Sequence, residues 1–137
     1  MTFRGRIAMP IWIGRVSPVF DVAERLLIVD IRNKKECSRF ETEINEESFP
    51  AKAIRLKELD IDILICGAIS MSLFYMIANG DIHVIPWISG RAEDVLKAFL
   101  DDKLFKFIMP GSERYWGKGH GRRRGQTMGR KRGIHFK

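Results

Sequence analysis

The residues best placed to do chemistry lie in the run Asp62–Ser70, Asp-Ile-Leu-Ile-Cys-Gly-Ala-Ile-Ser. Ile63, Leu64 and Ile65 form a short unbroken apolar segment, the kind of strand that is buried on both faces of a parallel sheet. Cys66-Gly67 ends it, and Ser70 is placed to cap a helix carrying Leu73, Phe74 and Ile77 on one face, with Gly80 as its stop. A strand that turns through glycine into a helix offers main-chain N–H groups and the positive end of a helix dipole. With a soft thiol at the same edge, the ligand that suits this turn is anionic and thiophilic rather than a sugar or a peptide. The competing reading makes Cys66 a small buried hydrophobe. Both readings stand on the residue types alone.

The elements that must position this turn can be read from both sides of it. Arg6–Trp12 is apolar enough for a central strand. Residues 14–25 follow as a long connection, with Gly14 and Ser17-Pro18 as loop signals and room for one helical turn after Ser17. Leu26–Ile31 is a second strand, Asn33-Lys34-Lys35 a tight turn, and Cys37–Ile44 a third, more exposed strand. Ser48 before Phe49-Pro50 predicts a helix start, and Phe49, Ala53 and Leu56 share its inner face. After the Cys66 strand and its helix, Ile82–Ile88 is a fifth strand. Ser89-Gly90 then opens a third helix with Ala92, Val95, Leu96, Phe99 and Leu100 at helical spacing.

The order βββαβαβα predicts an α/β domain of the ribonuclease H-like kind, a mixed five-stranded sheet with helices on both faces. In that arrangement the first, fourth and fifth strands run parallel, and their C-terminal ends share the edge where open α/β sheets bind ligands. The connection 14–25 arrives at the same edge. One rim is thus expected to gather Arg15, Ser17, Cys66, Ser70, Trp87 and Arg91. Met71 and Met76 read as packing residues of the second helix, Cys37 as incidental on a peripheral strand, and His83 as a core or surface histidine at the opposite edge.

Several chemistries are disfavoured by the same residues. Two-metal hydrolysis on this kind of sheet needs carboxylates clustered at its centre, and the first strand holds none; Asp21 and Asp30 do not replace them. No histidine falls on the expected rim for a Ser/His/Asp triad, and no dinucleotide or Walker loop is present. The chain therefore reads as a binding protein and not as an enzyme. Its two cysteines make no disulfide framework, which points to a reducing cytoplasm. No run approaches the length of a membrane span.

The formal net charge of +7 is unevenly placed. Residues 1–110 carry 15 Lys/Arg against 16 Asp/Glu, whereas residues 111–137 carry 9 against one. The chain accordingly divides into an α/β domain over 1–111 and a Gly/Arg/Lys-rich segment over 112–137. That segment has no apolar face to bury and reads as a flexible basic tail. It would bind nucleic acid weakly and without sequence preference, because it lacks the interleaved aromatics of a single-strand binder. An acidic protein partner is another use for it.

Three stretches resemble the NifB/NifX-type dinitrogenase iron–molybdenum cofactor biosynthesis family. They are Arg6–Pro10 with Val16–Ala23, then Ile65–Ser70, then Met109-Pro110-Gly111. The resemblance spans roughly residues 5–111. It implies a ribonuclease H-like domain that binds or carries an iron–sulfur or iron–molybdenum-type cluster, or a cofactor precursor, without catalysis. Anionic, sulfur-rich clusters suit main-chain N–H groups, arginines and a thiolate. By that likeness the site residues are Ser17, Phe20, Asp21, Gly67 and Ser70, with Cys66 as the candidate metal ligand; Arg15 joins them from its place on the rim. Where many relatives follow Met-Pro-Gly with a cysteine, this chain has Ser112. The other reading open to the sequence is a nucleic-acid-binding protein acting through the basic tail.

Overall fold

The computed structural model describes residues 4–110. The expectations for 111–137, including the basic tail, lie outside the described residues. Strand β1 (Gly5–Trp12) turns into a two-residue strand β2 (Arg15–Val16), and a 3-10 turn (Phe20–Val22) leads to β3 (Arg25–Arg32) and β4 (Lys35–Glu43). Then come α1 (Phe49–Glu58), β5 (Ile63–Ile65), α2 (Met71–Asn79), β6 (His83–Ile85), α3 (Ala92–Leu100) and a closing 3-10 turn (Leu104–Phe107).

The sheet has six strands, in the order β4-β3-β1-β5-β6, with β2 paired to β1. Strands β1, β5 and β6 are parallel, while β3 runs antiparallel to β1 and β4 antiparallel to β3. The expected five strands thus gain a sixth. Ile13 and Gly14 both adopt positive φ (50° and 75°), the left-handed pair a two-residue hairpin needs, so the chain doubles back and Ile11 pairs with Val16. A β-branched isoleucine is a poor signal for that conformation, and for this reason residues 14–16 read as loop. The turn between β3 and β4 has the same character at Asn33 and Lys34 (φ 55° and 63°), where asparagine made it legible.

Each face of the sheet carries its own core. Ala8, Leu26, Ile28 and Leu64 pack with Leu56 of α1 and Leu73 and Ile77 of α2. Ile7, Met9, Val29, Ile63 and Ile65 pack with Val95 and Leu96 of α3 on the other side. Successive side chains of a strand point to opposite faces, so the three-residue strand Ile63–Ile65 is wholly buried and carries no polar residue. Strand β4 lies at the sheet's border and is exposed along almost all of its length. Pro10 has no N–H, and it lies beyond the last parallel pair, Ala8 with Leu64.

Helix starts and ends differ in detail from expectation. Ser48 caps α1 as predicted: its Oγ accepts from the Ala51 N–H at 3.2 Å. The fifth strand is shorter than expected, because the chain breaks at Pro86 and Trp87 takes φ 66°. Helix α3 starts at Ala92, with Arg91 rather than Ser89 at the cap position. Met71 and Met76 are 63% and 38% exposed, so they are surface residues and not packing.

Candidate functional site

The expected rim does assemble, and main-chain hydrogen bonds hold it together. The Trp87 N–H donates to the Gly67 carbonyl (2.9 Å) and the Ile88 N–H to that of Cys66 (2.9 Å), which ties the end of β6 to the end of β5. The Ala68 N–H donates to Pro18 O and the Phe20 N–H to Ala68 O, each at 2.8 Å, which lays the connection 17–23 against residues 66–70. The Val16 N–H donates to Gly90 O and the Ala92 N–H to Gly14 O, both at 2.9 Å. Arg15 and Arg91 are paired by an antiparallel bridge. Two exposed arginines thus flank one another at the C-terminal edge of the parallel strands.

Gly67 is where the connection comes closest. A Cβ there would lie 2.6 Å from Pro18 O and 2.7 Å from Ser17 O. The glycine of this turn therefore admits the chain's own carbonyls. Ser17 is buried behind them, its N–H donating to Pro10 O at 2.8 Å.

The helix N-terminus is also served from within the chain. Ser70 has the extended backbone of a cap residue, but its side chain makes no capping bond. Instead Asp21, in the 3-10 turn, accepts from the Ser70 N–H through Oδ1 at 3.0 Å. A carboxylate at the positive end of a helix is the arrangement a free anion would otherwise adopt. The Ser70 Oγ is buried with no hydrogen-bond partner, an unsatisfied polar atom on the inner side of this closure.

Cys66 and Phe20 are core residues in this arrangement, both 0% exposed. Burial pushes the Cys66 thiol far above its ordinary range, and the nearby Asp21 carboxylate pushes in the same direction. At neutral pH it is a protonated thiol shielded from solvent, whereas metal ligation requires the thiolate. The structure thus brings Arg15, Ser17, Phe20, Asp21, Cys66, Gly67 and Ser70 to one edge. It turns Arg15 outward and leaves Cys66 and Phe20 inside. Among the described residues no three His, Cys, Asp or Glu side chains lie together as a metal site.

Between the β1–β2 hairpin and the connection to β3 lies a groove of about 630 Å³, unforeseen in the sequence. Its walls include Trp12, Ile13, Val19 and Val22, which are 61%, 78%, 38% and 74% exposed. The only available signal was two valines in a polar connection with no periodicity to bury them.

Residues 5–102 match the family model described as "Dinitrogenase iron-molybdenum cofactor". The chain belongs to this family. No curated protein matches it. Among solved structures the family fold recurs in PH0822, at 24% identity and a TM-score of 0.68 over 72% of this chain and 90% of that one. It recurs in a "putative dinitrogenase" from Methanocaldococcus jannaschii, at 18% identity and a TM-score of 0.58 over 73% and 91% of the two chains. A "putative NifB protein" from Thermotoga aligns at 19% identity and a TM-score of 0.58 over 72% and 90%. These likenesses establish the shared fold. The family match ends at residue 102, so Met109-Pro110-Gly111 and Ser112 lie beyond it.

Proposed function

We propose that this protein is a non-catalytic binding or carrier protein for an iron–sulfur or molybdenum–iron–sulfur cluster or a cofactor precursor, acting in cofactor assembly in the cytoplasm. The observation that carries the reading is membership of the iron–molybdenum cofactor family across residues 5–102. The strand order, read as ribonuclease H-like, supports it by putting the connection 14–25 and the Cys66 turn at one sheet edge. The cluster is cargo, and the residues that would meet it are those of the rim: the arginines Arg15 and Arg91 at its mouth, and Cys66 and Ser70 beneath the connection.

The donor set suits a cluster only in part. One thiol is a sparse ligand set, so holding the cargo would rest on main-chain N–H groups and arginine charge as much as on sulfur. The closed connection also keeps that thiol protonated and out of reach. Loading therefore requires Asp21 to leave the Ser70 N–H and residues 17–23 to lift from Gly67. An anionic cluster that displaces the Asp21 carboxylate gains the helix N-terminus, and it also brings the orphaned Ser70 Oγ a partner.

The test is anaerobic isolation with metal and sulfide analysis, followed by reconstitution of Cys66→Ser. The variant should retain less than half of the metal and sulfide bound by the parent, with a changed absorption spectrum. Equal uptake with an unchanged spectrum would remove Cys66 from the site. No bound metal or sulfide in either protein would remove the cluster reading itself. Nucleic-acid binding through 112–137, the alternative, lies outside the described residues.

A further inference from the structure

Four of the large apolar side chains that face water, Trp12, Ile13, Val19 and Val22, border one groove beside the hairpin. Exposed apolar surface concentrated in a concave site marks a place where something docks. One end of the groove is lined by Glu24, Arg25 and Glu41, a net charge of −1, and Glu43 stands beside them on β4. Glu41 is held by Arg25 at 3.2 Å, while Glu24 and Glu43 have no ion-pair partner among the described residues. The occupant this surface fits is an aromatic side chain next to positive charge.

We infer that the groove is the docking surface for the chain's own segment Glu113-Arg114-Tyr115-Trp116-Gly117-Lys118. This segment contains the only tyrosine or tryptophan beyond Trp87, and its aromatic pair is bracketed by Arg114 and Lys118. The chain also leaves the described structure in the right place. The Met109 N–H donates to Trp87 O at 2.7 Å, and the Trp87 N–H in turn donates to Gly67 O. Gly67 lies directly against the Ser17 and Pro18 carbonyls, and both residues line the groove. Pro110 is therefore one strand and one loop away. Tyr115 lies five residues beyond it, a reach of up to about 17 Å.

Trypsin cleavage after Arg114 and Lys118, followed by mass spectrometry on the full chain, tests this. Cleavage in a folded protein follows the population of the undocked form. Trp116→Ala and Val22→Glu should each speed cleavage at these two bonds by roughly tenfold, with little change in melting temperature. The parent's protection should not depend on protein concentration. Equal rates in the parent and Trp116→Ala would overturn the assignment, as would protection that fades on dilution, which would mean that a second copy fills the groove. Val22 is 74% exposed, so its substitution leaves the core intact. Trp116→Ala alters no described contact, and it keeps the test decisive if Val22→Glu folds poorly. Cluster uptake is a separate measurement, so failure here leaves the proposed function standing.

Discussion

Asp21 holds two relationships at once: it accepts from the Ser70 N–H at the head of α2, and its negative charge lies close enough to disfavour ionisation of Cys66. Removing it weakens the closure over the thiol. In a Cys37→Ser background, which leaves Cys66 as the sole thiol, Asp21→Ala should raise the rate of modification by a disulfide reagent at least tenfold, following local opening of residues 17–23. An unchanged rate would show that the main-chain bonds between 17–20 and 66–68 hold the closure without the carboxylate. The same thiol affects alkaline stability. Its folded pKa lies above the unfolded value of 9.0, so the buried neutral form stabilises the fold below pH 9 and that contribution is lost as the pH rises further. Thermal melts above pH 9 should fall more steeply for the parent than for Cys66→Ala.

The elements of the rim depend on two unusual backbone passages. The hairpin needs left-handed Ile13-Gly14, and the end of β6 needs left-handed Trp87. A bulky residue at positive φ costs of order 1–3 kcal/mol and persists only where its neighbours enforce it. At Trp87 the enforcement comes from main-chain bonds on both sides, N–H to Gly67 O and O from the Met109 N–H. Gly67 itself tolerates no side chain. Gly67→Ala should cost about 1–3 kcal/mol through overpacking against the Ser17 and Pro18 carbonyls, or push the connection outward. Urea denaturation measures the first outcome, and faster Cys66 labelling reports the second. A neutral substitution with unchanged labelling would contradict the close approach.

At the scale of the whole molecule, charge ties the exposed border strand β4 to α3 on one side of the sheet and β1 to β3 on the other. Arg39 holds Glu36 on its own strand and Glu93 on α3, with Nη1 to Glu93 Oε2 at 2.7 Å. On the other face Arg6 holds Asp30 at 2.8 Å and also donates to the Leu59 carbonyl after α1. The guanidinium hydrogen bonds hold the carboxyl groups of Glu36, Glu93 and Asp30 below their ordinary values. Depressed carboxylate pKa values stabilise the fold above the unfolded values of 4.5 and 3.8, and that stabilisation is lost as pH falls through the folded ones. Melting temperature should therefore drop from about pH 5 downward. Arg39→Ala should flatten part of that dependence. These pairs are partly exposed, so the effect should shrink in high salt. A pH profile identical in parent and variant would remove the bridge from the stability of the fold.

The sequence by itself determined the order of elements apart from β2, the parallel central strands, the antiparallel β3 and the meeting of residues 14–25, 66–70 and 86–91 at one edge. Apolar runs such as Ile63–Ile65 and helical repeats such as Val95, Leu96 and Phe99 reflect local periodicity, and short right-handed connections leave few ways to arrange them. Capping by Ser48 and the Asn33-Lys34 turn were legible for the same reason, since each acts within a few residues. Only the tertiary structure decided what the rim presents. Whether Cys66 faces a ligand or the core depends on a connection more than forty residues away in the chain, whose carbonyls rest on Gly67 and whose Asp21 reaches Ser70. The groove, too, depends on a hairpin made by a left-handed isoleucine. Side-chain exposure at a sheet edge is set by what lies across it, and no local pattern of residue types encodes that neighbour.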